Sequence, residues 1–138
     1  MNIKDYSLLP DFMESTDIAR AIDEILDIAA EERTISSVDV ANALLEMVER
    51  QSNNYEPLEA RLVKRIEQWM LVNWTVKLPE FIDVMCTLIV NINTVEGIRL
   101  LKEAQFAENS EVRALAEETL AEMSFVGEQG SSTTSTSM

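Results

Sequence analysis

Three features of the sequence predict an all-α fold. Apolar residues recur every three or four positions along most of the 138 residues, no long stretch alternates with period two, and only three Gly and three Pro interrupt the chain. The first spacing marks one face of an α-helix, where a half-buried strand would alternate. Sandwiches and barrels would also need many more turn residues. Apolar residues make up 46% of the composition, too much for an acidic disordered chain. The length suits a single domain, expected over residues 1–125, that buries about two-thirds of its unfolded surface.

The elements follow in order. Ser15-Thr16 offers N-cap hydroxyls to a first helix, and Asp17 complements the positive end of its dipole. Its apolar stripe is Ile18, Ala21, Ile22, Ile25, Leu26 and Ala29, with a stop near Glu32-Arg33. Ser36 or Ser37 caps a second helix, from Val38 to near Arg50, that buries Ala41, Leu44, Leu45 and Val48. After the loop residues Gln51–Asn54, Pro57 is expected as the first residue of a third helix, where its missing N–H costs nothing. That helix shows Leu58, Leu62, Ile66, Trp69 and Met70 on one face and ends near Asn73. Leu78-Pro79-Glu80 opens a fourth, apolar nearly all round from Phe81 to Ile92 and therefore expected at the centre. Thr94 caps a fifth, running to near Phe106. Asn109 or Ser110 caps a sixth, to near Met123, with Val112, Leu115, Ala116 and Leu120 facing inward. Residues 126–138 are rich in Gly, Ser and Thr and read as a flexible tail. Short loops make sequential helices antiparallel neighbours, and helices three to six read as two hairpins. The stretch Glu111–Leu120 would serve as the second helix of a HEAT-type repeat, but no fixed period spans the chain. The prediction is about six helices in a HEAT-like or irregular bundle.

Composition narrows function. The formal charge is −14, with no His and one Cys. Without His there is no Ser-His-Asp or Cys-His catalysis, no HExxH zinc site and no ExxH di-iron site. One Cys makes neither an internal disulfide nor a cysteine-rich zinc site. There is no Gly-rich phosphate loop and no EF-hand loop, so no cofactor and no metal is expected and the chain is not expected to be an enzyme. Free nucleic acid and anionic membranes would be repelled, which leaves a cationic protein as the partner class. No basic-then-apolar leader opens the sequence, and cytoplasm is the expected compartment.

The charge is uneven. Residues 1–56 carry −9, residues 57–102 carry +1 and residues 103–138 carry −6. Asp17, Glu24, Asp27 and Glu31 fall on one face of the first helix, opposite its apolar stripe. Asp39, Glu46 and Glu49 do the same on the second, and Glu111, Glu118 and Glu122 on the last. Like charges at i,i+4 cost about 0.2–0.5 kcal/mol per pair, and docking a cationic partner is one reason to retain them. A solvated face that keeps the protein soluble is the other. The candidate interface is Glu24, Asp27, Glu31, Asp39, Glu46 and Glu49, with Trp74 at a helix end as an apolar anchor. Trp69 is expected in the core. Arg61, Lys64 and Arg65 are expected to pair with the protein's own acids, and Cys86 to be a buried, inert thiol.

The stretch Ile66-Glu67-Gln68-Trp69-Met70-Leu71-Val72-Asn73-Trp74, then Leu78-Pro79-Glu80-Phe81-Ile82, Val95-Glu96-Gly97-Ile98-Arg99-Leu100-Leu101-Lys102 and Glu111-Val112-Arg113-Ala114-Leu115-Ala116, resembles the small all-helical immunity proteins of bacterial polymorphic-toxin and contact-dependent growth inhibition systems. The likeness spans residues 57–124 and leaves the acid-rich first helix outside it. It implies a cytosolic antitoxin that binds a cognate toxin domain, commonly a nuclease, and does no chemistry itself. The alternative is an acidic helical adaptor or secretion chaperone for a basic client.

Overall fold

The computed structural model describes the backbone of residues 2–130 and the side chains of residues 2–123. Six α-helices come after a short N-terminal 3₁₀ helix, Ile3–Leu8: α1 is Ser15–Glu31, α2 Ser37–Ser52, α3 Ala60–Asn73, α4 Pro79–Ile92, α5 Val95–Ala104 and α6 Ser110–Gly130. The described residues contain no strand. The fold is the all-α bundle that the periodicity predicts.

Local chemistry sets most helix starts. Ser36 Oγ accepts from Val38 N–H at 3.1 Å, Thr94 Oγ1 accepts from Gly97 N–H at 3.0 Å, and Asn109 Oδ1 accepts from Glu111 N–H at 2.9 Å and Val112 N–H at 3.1 Å. Each satisfies donors that a helix start leaves free. Pro79 is the first residue of α4. One expected cap and one expected start differ. Glu14 precedes α1 without a side-chain cap, because Ser15 Oγ instead donates to Glu56 at 2.6 Å and accepts from Gln51 at 3.1 Å. Pro57 lies outside α3, which begins at Ala60. The residue before a proline is driven to extended backbone, Tyr55 is left-handed with φ 57°, and Gln51 Nε2 holds the Glu56 carbonyl at 3.2 Å. The chain turns three residues later than expected. At the other end, the α6 backbone continues past Met123, through a stretch without proline, to Gly130. The rest of the expected tail, residues 131–138, lies outside the described residues.

Packing is not simply sequential. The most extensive contact is α2 against α4, two helices apart. Beyond it α1 covers α2, α6 covers both α4 and α5, and α3 lies on α1. The expected pairing of helices five and six is present. Helix three rests mainly on α1, and its end reaches α4 through aromatic contacts. Phe81 stands between Trp69 and Trp74, with ring centroids at 6.3 Å and 6.2 Å. Trp69 is half-buried against the core, not enclosed by it. The central reading of α4 holds on the core side, where Phe81, Ile82, Met85, Leu88 and Ile89 are fully enclosed, each contributing about 1.5–3 kcal/mol by burial. Cys86 is buried, its thiol pushed up in pKa by burial. At Gly97 a Cβ would come within 3.0 Å of Ile89 and of the capping Thr94 Oγ1, so α5 needs glycine to lie this close to α4.

The 3₁₀ helix is the element that periodicity does not reveal. It is too short to show a repeat, and its sequence signal is the pair Asn2 and Asp5. Asn2 Oδ1 accepts from Lys4 N–H at 3.0 Å, and Asp5 Oδ2 accepts from Asn2 N–H at 3.2 Å. Ile3 and Tyr6 are buried against α1 and α2. One residue holds the segment between this short helix and α1. The Arg50 side chain is enclosed (6% exposed); its Nε donates to Pro10 O at 2.8 Å, Nη2 to Leu9 O at 2.8 Å, and Nη1 to the Glu46 carbonyl at 3.0 Å and carboxylate at 2.8 Å. Asn54 Nδ2 adds a bond to Met13 O at 2.9 Å. Residues 3–13 thus form a strap tied to the C-terminal half of α2. Arg50→Met leaves the strap carbonyls without their donor and should cost about 2–4 kcal/mol. Urea denaturation would measure the loss, and amide exchange should rise first at residues 3–10. An unchanged midpoint would mean that the strap is held by its apolar contacts alone.

Candidate protein-interaction surface

The six carboxylates expected on one interface are divided by the fold into four settings. Glu24 lies beside the strap, where its Oε1 accepts from the buried Tyr6 Oη at 3.0 Å. Asp39 and Glu46 line the opposite side of the 3₁₀ helix, together with Lys4, Ser7 and Asn42, and Glu46 is already paired with Arg50. Asp27 points the other way, to Arg65 Nη2 at 3.1 Å. Glu31 and Glu49 are exposed and form no ion pair among the described residues. The row on α1 is therefore split between the strap and α3, although helical spacing alone puts it on one face.

Trp74 is separate from all of these. It is half-buried at the end of α3, and its Nε1–H is enclosed with no partner among the described residues. Its ring packs edge-on against Phe81. It closes the corner between α3 and α4 and lines neither groove beside the strap.

Two of the three bases of the patch pair as the sequence suggests, while Lys64 makes no ion pair among the described residues. Arg61 donates to Asp23 through Nη1 at 3.1 Å and Nη2 at 3.0 Å, and Arg65 adds Nη1 to Asp23 at 2.8 Å. Hydrogen bonds from Arg61 and then Arg65 hold the Asp23 carboxyl below the usual carboxylate range against the opposing effect of burial. Asp23 borders the predicted row, and the structure makes it the link between α1 and α3.

Three concave regions accompany these charges. The largest, about 540 Å³, lies between the ends of α1 and α3 and the start of α2, with Leu26, Val40, Trp69 and Val72 beside Arg33 and Arg65. Two others flank the 3₁₀ helix: one of about 380 Å³ toward α1, with Phe12, Met13, Glu14, Asp17 and Glu24, and one of about 330 Å³ toward α2. Among the described residues no group of three or more Cys, Asp or Glu side chains is placed to hold a metal ion. No helix among them is long and apolar enough to cross a membrane.

Residues missed by sequence reasoning belong mainly to the strap. Leu8 is 80% exposed and Phe12 71% exposed, and Phe12 shares a groove with Glu14, Asp17 and Glu24. Tyr6 and Arg50 fix where those carboxylates stand. The spacing Glu46-Arg50, four apart on one helix, is the available signal for that pair. Comparison with protein-family models, curated proteins and solved structures yields no match. The resemblance to immunity proteins rests on the residues that carry it.

Two pH effects arise from this geometry. Burial first, and then the bond to Glu24, push the Tyr6 phenol up to about 12, so its neutral form is favoured on folding. That contribution is complete below about pH 10, the unfolded value, and is lost as pH rises toward 12. Tyr6→Phe should cost about 1 kcal/mol at pH 7 and remove this part of the alkaline loss; denaturation at pH 9 and pH 11 compares the two chains. For Asp23 the sign reverses. Its depressed folded value stabilises above the ordinary carboxylate pKa, and the gain is lost as pH falls through the folded value. Asp23→Asn should cost about 1 kcal/mol at neutral pH and flatten the acid limb of the stability profile. An equally steep limb in the variant would assign it to other carboxylates.

Proposed function

We propose that the protein is a binding protein of the immunity type, which neutralises a cationic toxin domain, a nuclease, by setting carboxylates against its nucleic-acid-binding face. The observation that carries this reading is the acid left over after internal pairing. Arg20, Arg50, Arg61, Arg65 and Arg99 are engaged in ion pairs within the chain. Glu14, Glu31, Asp39 and Glu49 have none among the described residues, and the whole chain keeps its charge of −14. A nuclease cleft is cationic because its substrate is an anion, and an opposed acidic surface speeds encounter by about 10–10³-fold at low salt. The resemblance over residues 57–124 supports the same reading, and cytoplasm is the compartment it requires.

An adaptor or secretion chaperone for a basic client would use the same charge. The exposed Phe12 beside carboxylates, with Leu8 exposed on the same strap, favours that second reading, since a client-holding surface needs both chemistries.

Co-expression with the C-terminal domain of a secreted toxin encoded immediately upstream separates the two. Survival of the cells supports immunity; growth arrest despite complex formation supports the chaperone. For the charge itself, Glu31→Lys, Asp39→Lys and Glu49→Lys together should weaken toxin binding by about 10–100-fold at low salt and reduce its salt dependence. These three are chosen because Asp27 and Glu46 hold arginines of the fold. Unchanged affinity and salt slope in the triple variant would remove these carboxylates from the interface.

A further inference from the structure

We infer that the groove between the strap and α1 is the docking site for an arginine-bearing apolar segment of a basic protein, with Phe12 as the apolar contact in its lining, Leu8 exposed next to the lining Leu9, and Glu24 as the carboxylate that receives the guanidinium. This rests on the binding reading above and adds to its field of Glu31, Asp39 and Glu49 a shaped contact at the strap.

The groove combines features that the three acidic rows do not share elsewhere. Its wall is aromatic: Phe12 lines it while remaining 71% exposed, so a ring face is available to a cation or an apolar side chain. Leu8 stands on the same strap, 80% exposed. Large apolar residues at these exposures on a segment that Arg50 and Asn54 hold in place are preordered, so ordering them on binding costs little. Glu24 is preordered as well. The buried Tyr6 Oη bonds one of its oxygens at 3.0 Å, which orients the carboxylate and leaves the second oxygen free for a guanidinium.

Charge complementarity selects the occupant. Glu14, Asp17 and Glu24 line the groove against the single Arg20. Arg20 pairs with Asp17 at 3.3 Å, with both side chains at least half exposed, a contact weak enough for an incoming cation to displace. The volume, about 380 Å³, accommodates one long side chain and its neighbour. The larger groove near Trp69 presents Arg33 and Arg65 and has the wrong sign for such a segment. The α6 row offers carboxylates without a comparable exposed apolar pair among the described residues.

The probe is an acetylated, amidated hexapeptide of alternating leucine and arginine, with hexalysine as the charge-only control, added to the full ¹⁵N-labelled chain. The alternating peptide should shift amide signals of residues 8–14 and of Ala21 and Glu24 before those of α6. Leu8→Ser with Phe12→Ser should weaken its binding about tenfold while leaving the hexalysine response unchanged. Both side chains are exposed, so the variant should keep wild-type stability. Equal shifts along Glu111–Glu122, or undiminished binding by the double variant, would overturn the assignment. Toxin co-expression separates it from the parent reading: protection that survives the double variant removes the groove and keeps immunity, whereas groove binding without protection does the reverse.

Discussion

One enclosed guanidinium determines how the first half of this protein is assembled. Past its 3₁₀ helix, the strap of residues 3–13 has backbone carbonyls that neither a helix nor a sheet satisfies, and burying such groups without donors is costly. Arg50 supplies donors in a fixed planar fork, taking the carbonyls of Leu9 and Pro10 on one side and Glu46 on the other. Lysine has the same charge but no fork, so it could not reach these acceptors with the same geometry. The position of the strap then fixes Tyr6, Tyr6 orients Glu24, and the carboxylates of α1 and α2 come to stand on either side of a short 3₁₀ helix. An ion of the core thus decides the shape of an acidic surface.

The acids divide into two populations for a physical reason. Those with an arginine of another helix within reach join elements, as Asp23 and Asp27 join α1 to α3. Those without one face solvent and make up the long-range field. Helical spacing sorts residues by face but does not say what stands opposite, and the partition is set by α3 lying on α1. The same circumstance explains why Asp27 and Glu31, four residues apart on one helix, end in different settings.

The bundle and five of the six helix starts within a few residues were legible in the sequence, because apolar periodicity and caps such as Ser36, Thr94 and Asn109 are local chemistry. The pairing of Arg61 and Arg65 with nearby acids was legible as well. The strap was not. Six residues are too few to show a period, and Arg50 at a helix end looks like any surface base until the carbonyls of Leu9 and Pro10 are placed against it. The late start of α3 depends on Tyr55 adopting a left-handed backbone and on Gln51 holding Glu56, contacts that spacing cannot anticipate. The place of Trp74 at a helix end is local, whereas its surroundings are set by Phe81 on the next helix.

Both tryptophans stand against the same phenylalanine, and neither lines a groove beside the strap. Intrinsic indole fluorescence of this protein is therefore an optical signal from one corner of the bundle. Loosening of residues 3–13 would leave that emission nearly constant, while separation of α3 from α4 would change it at once. The chain carries a built-in spectroscopic divide: an indole signal for the corner where Phe81 sits, and, in a Tyr55→Phe background that leaves Tyr6 as the single phenol, an absorbance signal for the end that Arg50 holds.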